Sequence, residues 1–158
     1  MIHQKIKTFL WYDNKADEAA EFYCSLFPDS RIISVSRFPE GSPAPAGTAM
    51  TVEFELAGIR FVALNGGPVF HFTEAISLTV DCEDQQEVDR LWDKLTDGGT
   101  PSHCGWLKDR YGLSWQIIPG ILPRLLSNPD AAVAQRVMSA MLQMAKIDIA
   151  TLQQAANG

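Results

Sequence analysis

A strand–helix pattern that occurs twice, about 70 residues apart, limits the possible folds of this chain more than any other feature. The β-branched and aromatic run Lys5–Tyr12 precedes apolar residues at helical spacing, and Ala75–Cys82 does the same in the second copy. Asn14 and Asp84 occupy matching positions just before the two helices: Asp13-Asn14 is a candidate N-cap of the first, and Asp84 with Glu87 is a capping-box-like pair at the second. A recurrence of this kind predicts two copies of one supersecondary unit.

Each copy continues with further strands. The hairpin turn Ala57-Gly58 follows a strand of strict apolar–polar alternation and precedes Ile59–Asn65. The other predicted strands are Arg31–Phe38, His103–Asp109 and Leu113–Ile118. We therefore predict an α+β fold of paired β-α-β-β-β modules, at about 5–66 and 75–119, that form a cup-shaped, mostly antiparallel sheet. A doubly wound α/β fold is disfavoured because the 30s to 60s contain no second helix.

The remainder of the chain is predicted to be helical. Asn128-Pro129 is a candidate cap followed by proline at the first helical position, and Asp148 is a candidate cap of a last helix. We predict a paired-module domain over residues 1–119. A helical extension over 120–158 is expected to pack on that domain or on a dimer partner.

Composition and charge exclude several classes of protein. The 158 residues fit one domain, and 13 Lys and Arg against 19 Asp and Glu give a net charge of −6, which argues against nucleic-acid binding. No apolar stretch reaches the roughly 20 residues of a membrane span, so no membrane association is expected. The first residues lack the features of a signal peptide, and three cysteines form no C-x-x-C pair, which together predict a cytoplasmic protein.

Several motifs then resemble one family. The helix DEAAEFYCSLFP (Asp17–Pro28), LNGGP (Leu64–Pro68), CGW (Cys104–Trp106) and the ending DRYGLSWQIIP (Asp109–Pro119) are similar to the vicinal oxygen chelate superfamily, also known as the glyoxalase/bleomycin resistance/dioxygenase superfamily. Within it they look like the 3-demethylubiquinone-9 3-methyltransferase-like branch. The resemblance extends over the whole chain, including the helical tail. It implies a cup completed in a homodimer.

The resemblance also implies where metal ligands would lie. Metal-using members carry four His, Glu or Gln ligands on the first and last strands of each module. Carried onto this sequence, the positions are Lys7 or Thr8; Ala63, Leu64 or Asn65; Ala75; and Gln116. Because catalytic sites for transition metals generally need three good side-chain donors, we predict no catalytic metal. His71 and His103 lie outside these positions, and any chemical role for them or for Cys104 is left open.

The branch name suggests methyl transfer from S-adenosylmethionine. Such enzymes commonly use a glycine-rich loop between a strand and a helix, and no G-x-G-x-x-G is present here. No cofactor is therefore predicted, and the catalytic residues of any enzyme activity stay unknown.

Aromatic and polar residues on the strands predict a pocket for a small organic molecule. The alternation of the last strand places Gln116 on one face with Ser114 and Ile118, opposite Trp115. The candidate ligand-binding residues are Trp11, Asn65, Trp106, Asp109, Trp115 and Gln116. We expect a metal-independent binding protein and a homodimer; the alternative is an enzyme of the same superfamily, either metal-assisted or a methyltransferase.

Overall fold

The computed structural model describes residues 3–158 and divides the chain into two units, one ending at His71 and the other beginning at Phe72. The first unit contains β1 (Thr8–Tyr12), α1 (Ala16–Leu26), β2 (Arg31–Arg37), β3 (Ala49–Leu56) and β4 (Ile59–Asn65). Its four strands form one sheet in the order β1-β4-β3-β2. Strand β1 is parallel to β4, and the other two pairs are antiparallel.

The second unit repeats this topology. It contains β5 (Ser77–Cys82), α2 (Gln85–Thr96), β6 (Thr100–Pro101), β7 (Trp106–Lys108) and β8 (Ser114–Pro119), in the sheet order β5-β8-β7-β6. The same backbone contact ends the parallel pair in each unit: Gly66 N–H donates to Tyr12 O at 3.0 Å, and Gly120 N–H donates to Cys82 O at 2.9 Å. The predicted α+β fold of paired modules is confirmed, with two four-stranded sheets.

One face of each sheet is buried against its helix. In the first unit, α1 packs Ala20, Tyr23 and Leu26 against the sheet face that carries Phe54. In the second, the buried stripe of α2 is Val88, Leu91, Trp92 and Leu95. This asymmetry leaves the other face of each sheet free to carry polar groups.

Helix starts were predicted with mixed success. The capping pair at α2 forms in part: Asp84 Oδ1 accepts from Glu87 N–H as in a capping box, while Glu87 Oε1 accepts from Glu83 N–H, one residue before the cap, both at 2.8 Å. At α1 the prediction of a cap at residues 13–14 was wrong. The N-cap residue is Lys15, whose side chain makes no capping bond.

The C-terminal extension consists of α3 (Ile121–Leu126), α4 (Ala131–Met141) and α5 (Ile149–Asn157). These helices pack around a buried cluster of Leu122, Val137, Ile147 and Leu152 within the second unit. Asp148 caps α5 as predicted, but α4 begins after Asp130 rather than after Asn128. The extension therefore contacts its own chain; whether it also contacts a dimer partner stays a prediction.

Candidate functional site

The candidate site lies on the face of the second sheet that points away from α2, which we call the open face. Strand register places Ser77 opposite Ser114, Lys108 opposite Ser114, and Trp106 opposite Gln116. Because side chains of directly paired residues lie on the same side of a sheet, these five residues share one face. Two candidates from the sequence, Trp106 and Gln116, are thus brought together.

A pocket of about 260 Å³ opens beside this face. The side chain of Ser114 is 1% exposed, and among residues 3–158 its hydroxyl is a buried polar atom with no hydrogen-bond partner. Such groups are rare in folded proteins because burying them without a partner costs about 1–3 kcal/mol. The residues that line the pocket are Glu74, Thr100, Pro101, Ser102, Trp106, Leu107, Lys108 and Ser114.

Two polar contacts lie at or near the pocket, and the first joins two of the residues that line it. Lys108 Nζ forms an ion pair with Glu74 Oε1, and this hydrogen bond lowers the pKa of the Glu74 carboxyl. Gln116 Nε2 donates to Ser77 Oγ at 2.9 Å. Sequence reasoning missed Glu74 and Lys108, which are 34 residues apart. Ser114 was placed on the correct face, but its missing partner has no sequence signal.

Two of the other candidates lie in the core of the same unit. Trp115 is 2% exposed, and its indole N–H donates to Asp109 Oδ2 at 2.9 Å. Asp109 Oδ1 accepts from the backbone N–H groups of Tyr111 and Leu113 at 2.8 and 3.1 Å. Asp109 therefore organises the turn before β8, and neither residue lies on the open face.

The remaining two candidates, Trp11 and Asn65, are held by the first unit. Trp11 Nε1 donates to Gly67 O at 2.9 Å, and its ring meets Phe70 edge-on with centroids 4.8 Å apart. Its indole lies so close to Gly66 that a Cβ atom there would overlap the ring. Asn65 Oδ1 accepts from Ala16 N–H at 2.8 Å, so this side chain supplies the cap that α1 lacks locally.

A second, larger pocket of about 530 Å³ lies in the first unit. Its walls include Asn14, Phe38, Pro43, Pro45 and Asn65. The Asn65 amide is already engaged, because its Nδ2 also donates to Ala49 O at 3.0 Å. The Asn65 side chain therefore links α1 to β3. We place the candidate site at the smaller pocket, because that pocket is lined by Ser114, whose buried hydroxyl has no partner among the described residues.

Comparisons with known proteins identify the family. Residues 4–118 match the family described as 3-demethylubiquinone-9 3-methyltransferase. The solved structure of a PhnB protein from Bacillus cereus is 40% identical, covers 73% of this chain and 99% of its own, and superposes with a TM-score of 0.69. This chain belongs to the 3-demethylubiquinone-9 3-methyltransferase family. Its predicted place in that branch of the vicinal oxygen chelate superfamily is confirmed.

Other comparisons add the fold alone. A Pseudomonas aeruginosa protein is 19% identical, covers 74% of this chain and 98% of its own, and gives a TM-score of 0.61. No curated protein is significantly similar to this chain. The family match covers residues 4–118, so the helical tail lies outside it and its resemblance to the family stays a prediction.

The metal positions of the superfamily are poorly filled in this family member. Lys7 Nζ, at the first position, pairs with Glu53 Oε1 at 3.0 Å. Asn65 is engaged as described, Ala75 has no donor side chain, and among these positions Gln116 alone is of a residue type that the metal-using members employ. Residues 3–158 contain no group of three or more His, Cys, Asp or Glu that could hold a metal ion. The donors present do not fit the three-ligand set of a catalytic transition metal.

Two of the three cysteines have thiols whose pKa is raised by their surroundings. Burial raises the pKa of the Cys82 thiol to about 12, with the nearby carboxylates of Glu87 and Asp81 adding to it. Burial, followed by the charge of Glu21, also raises the pKa of the Cys24 thiol. Thiols with raised pKa values are poor nucleophiles at neutral pH.

No helix among the described residues has the length and apolar character that a membrane crossing requires.

Proposed function

We propose that this chain binds a small organic molecule on the open face of its second unit and does so without a catalytic metal. The observation that carries the proposal is Ser114, a residue that lines the pocket and whose buried hydroxyl has no hydrogen-bond partner among the described residues. A ligand that bonds to this hydroxyl would recover the free energy lost by burying it. An unpaired buried hydroxyl on its own would be a defect; beside a pocket it is a binding group.

The neighbouring side chains support the same function. Trp106 is half-buried on the open face and offers an aromatic surface, while Gln116 and Lys108 add polar groups. Small-molecule pockets are typically apolar with a few polar groups, whereas five of the eight residues that line this one are polar, which favours a polar ligand. Such pockets measure roughly 300–1,000 Å³ for drug-sized ligands. The 260 Å³ here favours a smaller compound, the size of one substituted ring.

The test uses two planar probes of the same size, benzoate and its neutral analogue benzamide. We expect Ser114→Ala to weaken binding of the tighter-binding probe by about fivefold. This is the effect of losing one hydrogen bond that contributes about 1 kcal/mol to the binding free energy. The melting temperature should not fall, because the substitution removes an unsatisfied buried group. Ligand-observed NMR and thermal denaturation measure the two effects. Ser139→Ala, at an exposed serine of α4, is the matched control.

Gln116→Ala extends this test to the adjacent site position. Its amide bonds to a half-buried serine at the sheet surface, so we expect its loss to affect probe binding more than the melting temperature. A large loss of stability with intact binding would make Gln116 a packing residue. Native mass spectrometry of protein purified without chelators or a His-tag completes the test. A stoichiometric transition metal, or no organic adduct together with no binding of either probe, would contradict the proposal.

The family description makes methyl transfer the alternative function. It rests on the match over residues 4–118 rather than on a recognisable phosphate- or nucleoside-binding loop. S-adenosylmethionine therefore belongs in the same titration. Stoichiometric binding of that compound would favour the methyltransferase, and binding of the planar probes alone would favour the binding protein.

A further inference from the structure

We infer that the ligand of the open-face pocket is a carboxylate attached to a flat ring. Its carboxylate would replace Glu74 as the ion-pair partner of the Lys108 ammonium. This inference rests on the proposed function, since it names the class of compound that the same pocket would hold. It has its own observation, the ion pair between Glu74 and Lys108, both of which line that pocket.

The position of Lys108 carries the first step. It lies on β7 directly opposite Ser114 on β8, and the two side chains share the open face. A ligand oxygen bound to the Ser114 hydroxyl would therefore lie next to the strand position that carries the ammonium group. A compact cation beside an uncharged hydroxyl donor suits a carboxylate, which accepts both bonds.

The present partner of Lys108 is easily replaced. Glu74 lies in the turn before β5, and its side chain is 61% exposed, while that of Lys108 is 42% exposed. Ion pairs this exposed contribute little to stability because water screens them. A ligand carboxylate held in the pocket would be less exposed to water and would also meet Ser114, which makes it the stronger partner. Before a ligand binds, Glu74 supplies the negative charge that pairs with Lys108.

The spacing on β7 favours a ring. Trp106 and Lys108 are two residues apart on the same face of the strand, a separation of about 6.6 Å. The span from the centre of a benzoate ring to its carboxylate oxygens is shorter than this, and the long, flexible Lys108 side chain can cover the difference. A ring lying against Trp106 would thus direct its carboxylate towards Lys108. Pro101 and Thr100, on the neighbouring strand, also line the pocket.

Benzoate and benzamide test the charge, since they differ in charge at nearly the same shape. We expect wild-type protein to bind benzoate about tenfold more tightly than benzamide, since a charged acceptor roughly doubles the strength of the bond to Lys108. Glu74→Gln should tighten benzoate binding by about threefold, because it removes a weak competitor for Lys108. It should leave benzamide binding unchanged. Lys108→Met should abolish the preference, and Lys94→Met, at an exposed lysine of α2, should preserve it.

Three outcomes would overturn the inference. Equal binding of the two probes would show that charge is not recognised, although the pocket would still bind planar molecules as proposed above. Weaker benzoate binding in Glu74→Gln would show that Glu74 supports the site rather than competing for it. Failure of benzoate to bind wild type and Glu74→Gln would also overturn it. In that case the benzamide and adduct measurements decide the proposed function separately.

Discussion

A single buried carboxylate, Asp109, shows how much of the second unit depends on one residue. Its two oxygens accept N–H groups from the backbone of the turn that follows, at Tyr111 and Leu113, and from the Trp115 indole. It is 3% exposed, so water cannot replace these bonds if the carboxylate is lost. The same residue was a candidate for ligand contact because a charged residue near a strand end can serve either purpose.

We therefore predict that Asp109→Ala destabilises the protein by about 3 kcal/mol, because it leaves buried donors without an acceptor. Urea denaturation measures the change in the free energy of unfolding. Asp93→Ala, at an exposed position of α2, should change it by about 0.5 kcal/mol or less. A variant at Asp109 that kept its stability but lost probe binding would show instead that the carboxylate acts on the ligand.

Residues that bond over long sequence separations set the limit of what the sequence predicts. Alternation alone placed Gln116 and Ser114 on the face opposite Trp115, and register bears this out. It could not indicate that Asn65 caps α1 from 49 residues away, or that Glu74 pairs with Lys108. The candidate site was therefore predictable as a face of a strand, but its polar partners were not.

The same limit applies to whole elements. The repeat predicted both units and the Ala57-Gly58 hairpin, whose turn residues have φ of 48° and 85°, as a tight turn of this kind requires. The predicted strand His103–Asp109 was wrong in its first half, since β7 starts only at Trp106. Cys104 has φ of 59°, and its N–H donates to Met144 O at 2.8 Å. Because the hydrogen-bond partner of Cys104 lies 40 residues further along the chain, no local sequence pattern indicates that the strand starts later.

That long-range contact is part of how the C-terminal helices are attached. Gly105 N–H donates to Ala145 O at 2.8 Å, and Gln85 bonds through its amide to Ile147 O and Ile149 N–H at 3.0 and 2.8 Å. Leu152 lies fully buried in the apolar cluster of the extension. These contacts make the extension a part of the second unit's fold rather than an appendage.

We predict that deleting residues 128–158 causes aggregation, because it uncovers Leu122 and Ile118 and removes the acceptors of Cys104 and Gly105. Size-exclusion chromatography and light scattering measure the effect. A truncated chain that stayed folded and in solution would show that the extension is dispensable.

A point variant tests the same element in the full chain. Leu152→Ala should cost about 2–5 kcal/mol, as removal of a buried leucine side chain usually does. Gln153→Ala changes the exposed neighbour and should leave the free energy of unfolding nearly unchanged. Equal stability of the two variants would show that the apolar cluster does not hold the extension in place.

At the scale of the whole molecule, the feature that bears on assembly is the face of the first sheet that points away from α1 and carries Phe9 and Glu53. At one end of this face the charged side chains pair with one another, since Glu53 contacts Lys7 and Arg60 at 3.0 and 3.7 Å. At the other end two aromatic rings are exposed: Phe9 on β1 is 61% exposed, and Phe70, which packs against Trp11, is 62% exposed. Large apolar side chains exposed together mark surfaces that other molecules cover.

We propose that a second copy of this chain covers these rings, so that the protein is a homodimer. Light scattering should then give about twice the monomer mass of 17.5 kDa. Phe70→Lys should shift the protein towards the monomer, because burying an unpaired ammonium in an apolar interface is costly. Ile59→Lys is the matched control, since Ile59 is 56% exposed but lies on the opposite face of the same sheet.

A wild-type mass of one chain at micromolar concentration would overturn the proposal. A Phe70→Lys dimer would mean that the copies meet at another surface, since a charge at the centre of this one could not be accommodated.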